Sequence, residues 1–327
     1  MTLRMPAEWA PHDRCVMAWP ARADMWRAQF DTAKRVHAQV ANAVARTEPV
    51  LMVAPPGCGA EAAAACANGS NIEVVEWPID DSWSRDIGAV IVTDGERRAA
   101  VDFVFNSWGE KFVPYDEDAR FALRMSEALG LERIDAAPFV LEGGAITVDG
   151  AGTLVTTEQC MLNPNRNPIL NRADIEAQLK HWLGVERIVW LPHGILEDDD
   201  TDGHVDNVCA FVGTGRVIAQ TTTDRDDPNH DRLRRNVAVL KDAGLDVVEL
   251  DVLARAQVDG ESVVVPALNA YLANGSVIVP VTEGEPARRA LAIWQDVLPD
   301  REVIAVPGAT LAYGGGGVHC ITQQVPR

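Results

Sequence analysis

The chain has 327 residues, 47% hydrophobic and 24% charged, the composition of an ordered globular protein and not of a disordered one. Its 29 Lys and Arg against 48 Asp and Glu leave a formal net charge of −19. That balance argues against nucleic acid and anionic membrane as partners, since both ask for a basic surface, and it favours cationic ones.

The opening residues, Met1 to Trp9, carry no apolar signal core, and no run approaches the ~18 apolar residues of a membrane span, so a cytoplasmic protein without a membrane contact is expected. Next comes a helix with Ala33, Val36, Val40 and Val44 on one face, followed by the strand-like Val50-Leu51-Met52-Val53. The same layout, helix then turn then β-branched strand, recurs at 126–134, 180–190, 240–248 and 297–306. Gly130, Gly184 and Gly244 supply left-handed caps in three of these, and Pro299 ends the fourth. These turns are 54 to 60 residues apart, a period that points to repeated supersecondary units, while the longer first interval implies an insertion. Further strand-like runs lie at 153–156, 205–212, 216–219 and 276–280. Five strand-rich units with one helix each fit a pseudo-symmetric α/β ring. An open doubly wound sheet is the alternative, but no Gly-rich phosphate loop follows an early strand. Without a linker-like composition shift, residues 1–327 read as one domain. The six cysteines are scattered with no Cys-x-x-Cys pair, which favours free thiols over a disulfide framework or a zinc ribbon.

Four constellations could carry chemistry. Four glycines, Gly314 to Gly317, precede Cys320, so backbone can approach a ligand closely beside a nucleophilic thiol; a buried structural cysteine is the plainer alternative. The acidic run Glu197 to Asp202 leads to His204 and Asp206, which would share a face if a strand begins there. Asp198, Asp200, Asp202 and Gly203 fit half of a calcium loop, yet its twelfth position is Cys209 and not a bidentate Glu, so no metal is expected. Trp83, Arg85 and Asp86 cluster after the apolar run Ile72–Trp77, where Trp and Asp could grip a cation or form an exposed turn. Glu142 follows Pro138-Phe139-Val140-Leu141 and precedes two glycines.

The ordered series resembles the agmatine deiminase family of the guanidine-modifying superfamily, which is related to bacterial-type peptidylarginine deiminases. The likeness runs through Met5-Pro6-Ala7-Glu8-Trp9, Asp81-Ser82-Trp83-Ser84-Arg85-Asp86, Phe105-Asn106-Ser107-Trp108-Gly109, Leu141-Glu142-Gly143-Gly144, Thr157-Glu158-Gln159-Cys160, Asn163-Pro164-Asn165-Arg166-Asn167-Pro168, Asp202-Gly203-His204-Val205-Asp206 and His319-Cys320-Ile321-Thr322-Gln323-Gln324. It implies a five-bladed α/β propeller of ββαβ units. It makes Cys320 the nucleophile, His204 the general acid and base, and Glu142 the residue that orients His204. Asp86 and Asp206 would hold the guanidinium, and Trp83 would wall the pocket with Gly317 beside it. The family usually has Asn where Gly317 stands, and a longer stretch before the segment matching Asn269 to Pro280. The implied substrate is agmatine, with no cofactor. Asp199 or Asp200 would meet its amine, and a homo-oligomer is expected. Arginine or peptidyl-arginine deimination, amidino transfer, and guanidine or polyamine binding without catalysis are the other readings. His319 and the cysteines at 15, 58, 66, 160 and 209 are read as structural or incidental.

Overall fold

The computed structural model describes residues 3–67 and 71–327. It divides into two compact units, one of Met1–Glu8 with Asp86–Glu249, the other of Trp9–Arg85 with Leu250–Arg327.

The first unit repeats one arrangement. Val90–Thr93 pairs antiparallel with Arg98–Val104, the helix Phe121–Ala128 crosses over, and Glu132–Val140 returns parallel. Ile146–Val148 and Thr153–Thr157, the helix Arg172–Leu183 and the strand Arg187–Leu191 do the same. Cys209–Gly213, Arg216–Gln220, the helix His230–Asp242 and Asp246–Leu250 form a third such sheet. Asn171 and Asp174 start the second helix with reciprocal hydrogen bonds between side chain and backbone. The expected glycines, Gly130, Gly184 and Gly244, have φ of 62°, 65° and 77° after the three helices. Val90, Val92, Val101, Leu154, Ile175, Leu179 and Leu183 share one buried cluster, each stabilising the unit by roughly 1.5–3 kcal/mol.

In the second unit His12–Ala18 pairs antiparallel with Gln323–Pro326 and parallel with Val50–Ala54, which follows the helix Phe30–Val44. The helix Gly59–Ala65 and the strand Ile72–Glu76 extend this sheet, and they are the insertion that the long first interval predicts. Tyr271–Ala273, Ser276–Val281, the helix Glu285–Val297 and Glu302–Pro307 form another ββαβ sheet, and Ala254–Val258 with Glu261–Val265 make a hairpin. The fold is mixed α/β, and among the described residues the ββαβ order occurs four times along the chain, while Gln323–Pro326 supplies the antiparallel neighbour of His12–Ala18 in the remaining sheet. No helix among these residues is long and apolar enough to cross a membrane.

Two local expectations are corrected. The run at 205–212 is strand only from Cys209, because Val205–Asn207 forms a 3-10 turn. His319 and Cys320 also lie in a 3-10 turn, His319–Ile321, so the strand alternation that would set His319 opposite Cys320 does not apply.

Candidate active site

In the first unit Asp86, Glu142, His204 and Asp206 come together, each buried. All four sit at short turns. Asp86 lies in the helical turn Ser84–Ile87, Glu142 precedes the 3-10 turn Gly143–Ala145, and His204 precedes the turn that contains Asp206. Nδ1 of His204 is 3.8 Å from Oδ2 of Asp86, and Nε2 is 3.7 Å from Oε2 of Glu142. The Gly144 N–H donates to Oδ1 of Asp86 at 2.9 Å, and the Trp108 indole N–H donates to Oδ2 at 3.0 Å. Gly144 is glycine for a steric reason. A β-carbon there would stand 2.5 Å from Nδ1 of His204, 2.9 Å from Oδ1 of Asp86 and 3.1 Å from Oδ2 of Asp206. Trp108 is aimed at Asp86 from a strained segment, since Ser107, Trp108 and Glu110 all have φ between 54° and 63°.

Arg166 ties this cluster together from a fully buried position. Its Nε donates to Oε1 of Glu142 at 2.6 Å. Its Nη1 donates to the Trp108 carbonyl and to Asp202, and its Nη2 to the Thr201 carbonyl. One planar fork therefore fixes the carboxylate of Glu142 and the loop that carries His204. Asp198 fixes the same loop from the inside, accepting from the hydroxyl of Thr201, the N–H of His204 and the amide of Asn207. Asp199 and Asp200 are exposed, and their carbonyls accept from Lys111 Nζ at 2.5 and 2.9 Å.

The charges follow from these contacts. Burial opposes the charged form of His204, but the carboxylate of Asp86, then Cys160 and Glu142, hold its pKa well above the ordinary histidine value. Burial, the largest influence, works against ionised Glu142, yet the Arg166 cation and His204 together outweigh it and hold this carboxyl below its usual range. Asp86 is pushed up, first by burial and then by the nearby Asp206 and Glu142 charges. The cluster thus sets an imidazolium among carboxylates of unequal acidity, an arrangement suited to proton transfer and to gripping a planar cation.

The second unit places Cys320, Gly317 and Trp83. Cys320 is 6% exposed. The Asn269 amide N–H₂ donates to its sulfur at 3.3 Å and the Gly317 N–H at 3.4 Å, contacts that favour thiolate over thiol. Arg85 fastens the turn, donating to the His319 carbonyl and to Gln324. The Trp83 ring stacks on Trp26 with centroids 5.6 Å apart. The glycine run lies against these rings, because β-carbons on Gly314 and Gly316 would come within 2.4 Å of Trp26 and Trp83. All six cysteines are free.

The sequence matches the Porphyromonas-type peptidyl-arginine deiminase family over residues 4–326. The chain belongs to that family. It is 41% identical to an agmatine deiminase of Pseudomonas aeruginosa, with 99% of this chain and 95% of that protein aligned. It is 40% identical to the agmatine deiminase of Stutzerimonas stutzeri, covering 98% and 95%. The solved agmatine deiminase of Enterococcus faecalis superposes with a TM-score of 0.95 at 31% identity, covering 99% and 96%. The resemblance to agmatine deiminases and bacterial peptidylarginine deiminase-like proteins is borne out across the whole chain.

Sequence reasoning overlooked several residues of these clusters. Arg166 stands in the quoted Asn163–Pro168 run, but a lone Arg gives no sign of which carboxylate it meets 24 positions away. Asn269 meets Cys320 across 51 positions. Cys160, read as incidental, has its thiol against Glu142 and His204.

Proposed function

We propose that the chain hydrolyses agmatine to N-carbamoylputrescine and ammonia. The observation that carries this reading is the set of three buried carboxylates, Asp86, Glu142 and Asp206, grouped with one imidazole. A guanidinium spreads its charge over three nitrogens, and paired carboxylates match its planar N–H edges. The whole-length likeness to agmatine deiminases narrows the substrate from guanidines in general to agmatine.

In this mechanism Asp86 and Asp206 hold the guanidinium and polarise its carbon. The Cys320 thiolate adds to that carbon and forms a C–S bond. His204 gives its proton to one nitrogen, the C–N bond breaks, and ammonia leaves. The amidino group stays on Cys320 as a thioether. His204, now neutral, takes a proton from water as the water oxygen adds to the same carbon. The C–S bond then breaks as the hydroxyl of the adduct gives its proton to solvent, the Cys320 thiolate is restored and the ureido product departs. Glu142 keeps His204 oriented, and Arg166 keeps Glu142 ionised. Trp83 and Gly317 support the loop that precedes Cys320, and Asp200 meets the amine of the substrate. No cofactor takes part. Residues 1–327 act as one catalytic domain of five ββαβ blades, a reading supported by four ββαβ sheets along the chain and by the C-terminal strand that pairs with the N-terminal one. A reducing cytoplasm suits the free thiols.

The test is a substrate panel. Agmatine, arginine and an arginyl peptide are incubated with the protein, and ammonia and ureido product are measured. Agmatine is expected to be turned over at least tenfold better by kcat/KM. A preference for arginine would overturn the substrate assignment. A Cys320→Ser variant should lose turnover and show no amidino adduct by mass spectrometry, and an adduct on any other residue would overturn the nucleophile.

A further inference from the structure

The first unit contains a buried thiol that the reaction above does not use. Cys160 lies in the helical turn Glu158–Met161, where the Thr157 hydroxyl accepts its N–H. Its side chain is fully buried. The sulfur of Cys160, a carboxylate oxygen of Glu142 and an imidazole nitrogen of His204 all lie within 4.8 Å of one another. A second observation makes this more than a stray cysteine. Oε2 of Glu142 and Nε2 of His204 are both buried, and among the described residues neither has a hydrogen bond of normal length. They face each other at 3.7 Å. Buried polar atoms without a hydrogen bond are costly, and two of them facing each other beside a thiol form a donor set that a cation can bridge.

We propose that Glu142, Cys160 and His204 form a binding site for a soft divalent cation, with Zn²⁺ the ion that fits. One sulfur, one nitrogen and one carboxylate oxygen make an ordinary zinc donor set. Its bond lengths of about 2.0–2.3 Å imply ligand-to-ligand edges of about 3.3–3.8 Å. The carboxylate-to-imidazole edge already has that length, and the widest separation has to close by about 1 Å. A thiol among the ligands disfavours Mg²⁺ and Ca²⁺, which prefer oxygen alone. The surroundings suit the ion as well. Asp86 lies 3.8 Å from Nδ1 of His204, on the other side of the ring, and can accept its proton while Nε2 binds the metal. Arg166 occupies only Oε1 of Glu142, which leaves Oε2 for the cation. On binding, the Cys160 thiol and the Nε2–H of His204 each release a proton to solvent, so the site exchanges two protons for one dication.

One consequence rests on the proposed function: with Nε2 held by metal, His204 can neither give nor take the proton that hydrolysis needs. The binding itself does not rest on that reading. Metal-free protein is titrated with Zn²⁺ and with Co²⁺, whose sulfur-to-metal absorption in the near ultraviolet reports a thiolate ligand. The parent and a Cys320→Ser variant should each take up one ion per chain and show that band. Cys160→Ala and Cys160→Ser should bind at least tenfold more weakly and lose the band. Undiminished binding by the Cys160 variants would overturn the site. So would loss of the band in Cys320→Ser, a variant that leaves all three ligands in place. Inhibition is measured separately with agmatine. Binding without inhibition would remove the proton-transfer role of His204 while the metal site stands, and absence of binding would remove the site while leaving agmatine hydrolysis untouched.

Discussion

Asn269 lies against the Cys320 sulfur and also accepts the His319 N–H, so a single amide positions the proposed nucleophile and donates to it. Gly317 makes this possible. A β-carbon at 317 would stand 2.3 Å from Oδ1 of Asn269, so glycine at 317 leaves Asn269 its place beside the sulfur. Two N–H donors directed at sulfur stabilise the thiolate, and losing one should raise the pH at which the thiol ionises. The expected outcome for Asn269→Ala is an upward shift in the pH midpoint of Cys320 alkylation by iodoacetamide, followed on the Cys320 peptide by mass spectrometry. Gly317→Ala should move it the same way by displacing the amide. An unmoved midpoint in both variants would mean that these donors only hold the turn in place. At this scale the sequence was legible where a residue type announces its own chemistry, as Cys320, His204, Glu142 and the two Asp do. It was silent on Asn269 and Arg166, whose roles come from partners distant in the chain.

At the scale of elements, the legible parts were those with a period. Ala33, Val36, Val40 and Val44 do lie on the buried side of Phe30–Val44, and the glycine caps fall where they were expected. The turns that follow Glu142 and His204 and the one that contains Cys320 were not legible, because a three-residue 3-10 turn is too short to show a period. His37 was passed over for the opposite reason: it sits on the apolar face of a well-read helix. Its Nδ1 bonds to the Ala33 carbonyl at 2.8 Å, its ring meets Trp26 edge-on, and its Nε2 is buried without a partner among the described residues. Burial pushes its pKa down to about 4, against 6.5 in an unfolded chain. The unfolded state therefore binds the proton first. The neutral buried ring favours folding in full above pH 6.5, and that contribution is lost as the pH falls toward 4. The loss amounts to roughly 3 kcal/mol. Urea unfolding at pH 7 and pH 4.5 measures it. A His37→Phe variant should lose less stability between the two pH values than the parent, by about 2 kcal/mol. Equal losses would show that folding leaves the proton affinity of His37 unchanged.

The whole molecule has one property that no cluster accounts for, its net charge of −19. The three carboxylates of the proposed site are a small part of 48 acidic residues, and many of the others pair with Arg or Lys at the surface, as Glu61 does with Lys34 and Glu249 with Lys241. Such exposed pairs add little stability. The uncompensated remainder acts through the field around the molecule, which raises the local concentration of cations and their rate of encounter. Agmatine carries a guanidinium and an ammonium, so the field acts on it twice as strongly as on a guanidine with an uncharged tail. Salt screens that field over about 10 Å at 0.1 M and about 3 Å at 1 M. The kcat/KM for agmatine should therefore fall as NaCl is raised, more steeply than that for butylguanidine, while kcat stays level for both. Parallel slopes for the dication and the monocation would assign recognition of the amine to local contacts such as Asp200 and leave the bulk charge to solubility.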